Sequence, residues 1–216
     1  MSTKISDIFD LCISFLFPTR NKEKIVHRLS DADISALPRL HKQFPGIISL
    51  FSYKNSDIQA LIWELKYHRN NKAFTLVGKL LADALLEELS DKMLFENWQA
   101  ILLIPIPITN VHRRERTFSQ TELLCTEMLS HLPDTVIYTP QALTKVRETE
   151  KQSRTTSRTQ RLHNLRGAFS ANITLVHNKN VVLIDDVTTT GATIHEATRA
   201  LKTAGAKHVL ALTIAH

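Results

Sequence analysis

The sequence predicts an α/β fold, a central, mainly parallel sheet flanked by helices, with a mostly helical N-terminal extension. Three observations carry this. "VVLID", "ATIHEATRALKTAGA" and "HVLALTIA" read as strand, helix and strand in about 35 residues. That is a right-handed βαβ unit, which lays two strands parallel in one sheet. Apolar runs at 47–53 and 100–108 supply further strands, and between them Leu76, Val77, Leu80, Leu81, Ala84 and Leu85 recur at helical spacing. Near the start, Ile5, Ile8, Phe9, Cys12, Ile13 and Leu16 form another helical face.

Taken in order, 4–16 is an amphipathic helix and "FPTRNKEK" is a polar exit from it. A short helix begins at Ser30 and is interrupted by Pro38. A strand covers 47–53, and a helix follows with Ser56 as its N-cap. A longer helix spans about 72–89. "AILLIPIPI" (100–108) is a buried strand. Its two prolines cannot donate to a ladder, so its end leaves the sheet. "SQTELLCTEMLSHL" is a helix and "TVIY" a short strand. In the final helix Ile194, Ala197, Leu201 and Ala204 face inward, and Gly205 is the stop. Residues 1–50 then form the extension and 51–216 the main domain.

The chain has 216 residues, 43% hydrophobic and 22% charged, the composition of a globular protein with a real core. Its formal charge of +6 points to anionic ligands without choosing among them. Nearly all of that charge lies in 145–166, where Lys145, Arg147, Lys151, Arg154, Arg158, Arg161 and Arg166 face only Glu148 and Glu150. With few large apolar residues, at least the first half of this segment is expected to be an exposed loop. Cys12 and Cys125 form no C-x-x-C pair, so a zinc ribbon is not supported and a reducing cytoplasm fits better than a disulfide. The N-terminal apolar stretch is broken by Asp7 and Asp10, so neither a signal peptide nor a membrane insertion is expected.

The chemistry concentrates in "VVLIDDVTTTGAT". In parallel α/β sheets ligands sit beyond the carboxyl ends of the strands. Asp185 and Asp186 lie at such an end, directly before a turn that enters a helix. The unpaired N–H groups of that turn, at the positive end of the helix dipole, suit a phosphate. Gly191 allows close backbone approach, Ala192 opens the helix, and Thr188, Thr189, Thr190 and Thr193 add hydroxyls. Carboxylates beside a phosphate need other partners, and sugar hydroxyls and a divalent cation are the natural ones. The stretch reads as a ribose 5-phosphate cradle. Its bland alternative is a capped helix start, since Thr193-x-x-Glu196 matches a capping box. G-x-G-x-x-G and G-x-x-x-x-G-K-[ST] are both absent, and the ten histidines are scattered.

Strand, "DDV-T-T-G-T" and helix together resemble the phosphoribosyl-diphosphate (PRPP) motif of type I phosphoribosyltransferases. Upstream, "LIPIPITNVHRRERTFSQTELL" resembles the "PVP…RR…RGFNQAELL" segment of the ComF/GntX family. In "VRETEKQSRTTSRTQRLHNLRGAF", Arg147, Thr149, Gln152, Arg158, Arg161, Asn164, Gly167, Ala168 and Phe169 match another block of that family. "LIWELKYHRN" is similar to its "lKy-x-g" block around Lys66. The resemblance covers roughly 50–216, with the blocks in family order. Two departures stand out. Phe17–Pro18 survive from the family's N-terminal zinc ribbon without its cysteines, so 1–50 is a degenerate ribbon region and no zinc site is expected. Thr117 and Ser119 replace the family's glycine and asparagine.

The resemblance implies a type I phosphoribosyltransferase-like domain that binds Mg²⁺-PRPP through Asp185 and Asp186, with the 5′-phosphate on 188–193. Arg113, Arg114 and Arg116 are pyrophosphate candidates, since guanidinium forks match phosphate oxygens. Their alternative is a solvated charged turn. The basic segment would be a hood closing over the ligand, with Arg147, Gln152 and Arg161 as candidates; its alternative is an exposed loop touching nucleic acid. No general base is legible, and His112 and His163 read as surface histidines. Transfer of ribose 5-phosphate to an unidentified acceptor is one expectation. A non-catalytic PRPP- or nucleotide-binding role in competence and DNA uptake, with single-stranded DNA or competence-machinery proteins as partners, is the other. A structural relic is a third.

Overall fold

The computed structural model describes residues 19–40, 45–108, 118–147 and 165–216. The expected helix at 4–16 lies outside them. So do His112, Arg113, Arg114, Arg116, Thr117, Gln152, Arg161 and His163.

In chain order the elements are α1 (Thr19–Arg28), α2 (Asp31–Ser35), β1 (Ile47–Phe51), α3 (Ser56–Tyr67), α4 (Asn71–Phe95), β2 (Ile101–Pro105), α5 (Gln120–Leu129) and β3 (Val136–Tyr138). After a 3₁₀ turn (Pro140–Ala142) come β4 (Leu143–Lys145), β5 (Phe169–Ala171), α6 (Ile173–Val176), β6 (Asn180–Val187), α7 (Ala192–Thr203) and β7 (His208–Ala215). Five strands form one sheet in the order β1-β7-β6-β2-β3, and every pairing in it is parallel. The strands are continuous apolar runs because both faces are covered. Along β6 the side chains divide: Val182 and Ile184 join one core cluster, Val181 and Leu183 the other.

The first cluster holds α1 to α5; the second holds α7, α6 and the small antiparallel pair β4–β5. The chain therefore leaves β2 through α5 on one face, and leaves the neighbouring β6 through α7 on the other. Adjacent strands whose connections depart to opposite faces leave a crevice at their carboxyl ends. That position falls beside Asp185 and Asp186.

Several local expectations are corrected. The "polar exit" is partly helix: in α1 the stem of Lys22 takes an inward position with Val26, its ammonium 3.4 Å from the centre of the Trp63 ring. A long lysine stem can cover apolar surface, which an apolar count misses. The cap of α3 is Asn55 rather than Ser56, its side chain accepting from the N–H groups of Asp57 (2.9 Å) and Ile58 (3.1 Å). α4 runs to Phe95, past the apolar stripe, and its last residues Leu94 and Phe95 are exposed. The 47–53 strand stops at Phe51. Lys145 belongs to a strand, not to an exposed loop, since it pairs with Phe169. The capping box at Thr193 does not form: α7 starts at Ala192, and Glu196 reaches elsewhere. Gly205 stops α7 as expected, in a Schellman arrangement with Gly205 N–H on the Lys202 carbonyl and Ala206 N–H on that of Leu201, both 3.0 Å.

Candidate functional site

The site begins where β2 gives out. Its last pairing with β6 is Pro105 with Ile184, followed by one bond from Ile106 N–H to the Ile184 carbonyl at 2.9 Å. Pro107 cannot donate, so the ladder ends there. β6 continues against β7 to Val187. Asp185 and Asp186 thus stand on a strand that has lost one neighbour.

Period-two alternation sends the two carboxylates to opposite faces. Asp186 follows Val182 and Ile184 toward α3. Its Oδ1 accepts from Val187 N–H at 2.6 Å, and its Oδ2 lies 3.0 Å from Lys66 Nζ. Burial works against the Lys66 ammonium, but the charge and hydrogen bond of Asp186, with the charges of Asp185 and Tyr53, outweigh it and raise its pKa. Asp185 follows Val181 and Leu183 toward β4. Its Oδ1 accepts from Asp186 N–H at 2.9 Å. Burial, then repulsion by Asp186, pushes its pKa up to about 7, against the opposing pull of that N–H, Lys66 and Lys145.

The turn follows directly. Thr188 is buried, its N–H committed to the Ala215 carbonyl (3.0 Å) and its own carbonyl 3.0 Å from His216 Nδ1. Thr189 is exposed and Thr190 half-buried, the Thr190 hydroxyl accepting from Ala192 N–H at 3.4 Å. Gly191 is the N-cap of α7 at φ 73° and makes no side-chain cap. The first-turn N–H groups of a helix have no intrahelical acceptors, so the turn brings that of Thr193 to the crevice beside the Ala192 N–H that the Thr190 hydroxyl holds. A Cβ on Gly191 would lie 3.1 Å from His195 Nε2 and 3.2 Å from Ile47 Cδ1, so the turn is closely packed from behind.

The blocks singled out in the sequence meet around this point. Gln120 donates from Nε2 to the Lys66 carbonyl at 3.3 Å, and Ser119, standing where the family has asparagine, caps α5 through Glu122 N–H at 3.4 Å. Glu196 on α7 accepts from Gly167 N–H at 2.6 Å and from Arg199 at 2.7 and 2.8 Å, tying the "GAF" block to the helix after the turn. Arg147, a hood candidate, donates to the Arg166 carbonyl at 2.9 Å, so it closes the base of the basic segment. Lys66 is the residue whose role sequence reasoning missed. Ile58, Ile62 and Lys66 share one helical face, and both isoleucines are buried, so the lysine ends an inward stripe.

Among the described residues no three or more of His, Cys, Asp and Glu are grouped to hold a metal ion. Two carboxylates beside an open helix start nevertheless fit Mg²⁺, which binds through one or two carboxylates plus ligand oxygens rather than in an all-protein cage. No helix among the described residues is long and apolar enough to cross a membrane.

Residues 123–216 match the phosphoribosyl transferase domain family. The chain is 30% identical over 152 residues to the DNA utilization protein YhgH of Escherichia coli O157:H7, covering 70% of this chain and 64% of that one. It is 36% identical over 102 residues to the competence protein ComFC of Bacillus subtilis, 46% of this chain and 38% of that one. It therefore spans less than two thirds of the length of these relatives. Glutamine PRPP amidotransferase from B. subtilis overlays 70% of this chain and 30% of its own at 19% identity and a TM-score of 0.43. The matched segment holds β6, the acid pair, the turn and β7, and the relatives include ComFC: the chain carries a phosphoribosyltransferase-type domain and is similar to ComF-type proteins.

Proposed function

We propose that the protein binds Mg²⁺-PRPP and transfers ribose 5-phosphate to an acceptor whose identity is open. The observation that carries this is the acid pair at the carboxyl end of β6, beside the switch point, followed at once by the open helix start at Gly191. Asp185 and Asp186 would take the ribose hydroxyls, and Thr188 to Thr193 the 5′-phosphate. In the transfer the bond from the anomeric carbon to pyrophosphate breaks, a bond to the acceptor forms, and the acceptor loses a proton. Asp185 and Asp186 would lie beside a Mg²⁺ brought in on the diphosphate, which would neutralise the leaving group. Arg113, Arg114 and Arg116 remain pyrophosphate candidates from the sequence, as Arg147, Gln152 and Arg161 remain hood candidates.

The measurement is a thermal shift with PRPP, with and without Mg²⁺. PRPP with Mg²⁺ raises Tm, as any ligand selective for the folded state does. The rise disappears in the Asp185→Asn, Asp186→Asn chain. No shift in the wild type refutes the cradle, and an unchanged shift in the double variant refutes the role of the carboxylates. Pyrophosphate release with a panel of nitrogenous bases then tests turnover.

A second reading is favoured by the names of the relatives, a DNA utilization protein and a competence protein, together with the basic segment. Here the same site binds PRPP or a nucleotide without turnover in a cytoplasmic step of DNA uptake, with single-stranded DNA or competence proteins as partners. PRPP binding without pyrophosphate release from any base supports it over the first.

A further inference from the structure

An anion site flanked by two adjacent carboxylates has an electrostatic problem, and the structure holds an answer to it. Lys66 Nζ lies 3.0 Å from Asp186 Oδ2, with the two side chains 25% and 15% exposed. This is not an exposed surface pair, for which the expected contribution would be small. The lysine is held from behind: it sits in the last turn of α3, where a cation is favoured by the helix dipole, and Gln120 fixes its backbone carbonyl. The other oxygen of Asp186 is taken by Val187 N–H. Both oxygens of Asp186 are thus engaged, whereas Asp185 Oδ2 accepts no hydrogen bond from the described residues.

We propose that Lys66 is a positioning residue acting as the resident counter-ion of the acid pair: it holds Asp186, keeps free divalent cations off that carboxylate until a ligand arrives, and leaves Asp185 as the carboxylate without an ion-pair partner at hydrogen-bond distance among the described residues. The identity of that ligand rests on the phosphoribosyl reading; the counter-ion role does not. Removing the ammonium strips Asp186 of its counter-ion and leaves Asp185 with only the more distant charge of Lys145, a site that draws Mg²⁺ by itself and repels a phosphate.

The experiment compares wild type, Lys66→Met, Lys66→Arg and the Lys66→Met, Asp186→Asn pair, all as full chains, by thermal shift against Mg²⁺ alone. Mg²⁺ should leave the wild type and Lys66→Arg where they are, raise the Tm of Lys66→Met by several degrees, and lose that effect in the double variant. Equal Mg²⁺ responses in wild type and Lys66→Met overturn the proposal, since a merely structural ion pair would lower Tm without creating a Mg²⁺ response. If Lys66→Met does not fold, Lys66→Gln carries the same comparison. In a second arm, PRPP at low Mg²⁺ should bind Lys66→Met about tenfold more weakly and recover as Mg²⁺ rises, a tenfold change being about 1.4 kcal/mol. If PRPP leaves the wild type unmoved while Lys66→Met gains its Mg²⁺ response, the counter-ion stands and the phosphoribosyl reading falls.

Discussion

Asp185 carries a stability consequence that follows from its surroundings. Its carboxyl is pushed up to about 7 in the fold, first by burial and then by Asp186, while in an unfolded chain it titrates near 3.9. Between those values the folded state holds the proton that the unfolded chain has released. Stability from this group therefore falls as pH rises from about 4 through about 7, and levels above that. Asp185→Asn removes this fall. In the ligand-free protein its Tm should match wild type near pH 4 and exceed it by several degrees at pH 8; a constant difference across that range would contradict the assignment. Gly191 is constrained in the opposite sense. At φ 73° a side chain is strained there, and a methyl group would press on His195 and Ile47 at 3.1 to 3.2 Å. Gly191→Ala should destabilise by roughly 1–2 kcal/mol, read by urea denaturation, and should weaken phosphate binding.

At the level of elements, α7 does two jobs. Its N-terminus completes the turn, and Glu196, one turn further on, clamps Gly167 and Arg199. The second job orders the strand β5 that pairs with β4, and so the base of the basic segment. The Arg199 hydrogen bonds, with that from Gly167, hold the Glu196 carboxyl below its usual range. Because this folded pKa is depressed, the clamp is intact above the ordinary glutamate pKa and is lost as pH falls through the lower folded value. Glu196→Ala should cost about 1–3 kcal/mol at neutral pH by the loss of charged hydrogen bonds. Hydrogen exchange should quicken at Gly167 and Ala168 more than in β6; uniform quickening would contradict a local clamp.

The whole molecule separates two charge regimes. The sheet and its helices carry the acid pair and its lysine, while the net positive charge of the chain resides in 145–166. That segment springs from β4, where Lys145 acts electrostatically on Asp185. If the segment contacts single-stranded DNA, affinity should fall steeply with salt, by about 0.7 in log-log slope for each phosphate neutralised. Replacing Arg154, Arg158 and Arg161 by glutamine should flatten the slope by about 2. An unchanged slope would remove the nucleic-acid role from this segment and leave it to the ligand site.

The sequence by itself determined the βαβ unit, the acid pair, the glycine turn and the departure of β2 from the sheet. These depend on local rules: apolar periodicity, the missing N–H of proline, the freedom of glycine. The strand's end was legible from the sequence, but not that Asp185 and Asp186 face opposite sides of the sheet, nor what lies on each. Only the tertiary structure decided that. It brought Lys66 to Asp186 and Lys145 near Asp185, joined Glu196 to Gly167 in place of the capping box with Thr193, and drew Lys145 into a strand closed from across the basic segment. Ion pairing and desolvation depend on which distant segment covers a side chain. For the same reason the proton affinity of Asp185 and the engagement of Asp186, two neighbours of identical chemistry, part company only once the sheet has its two faces.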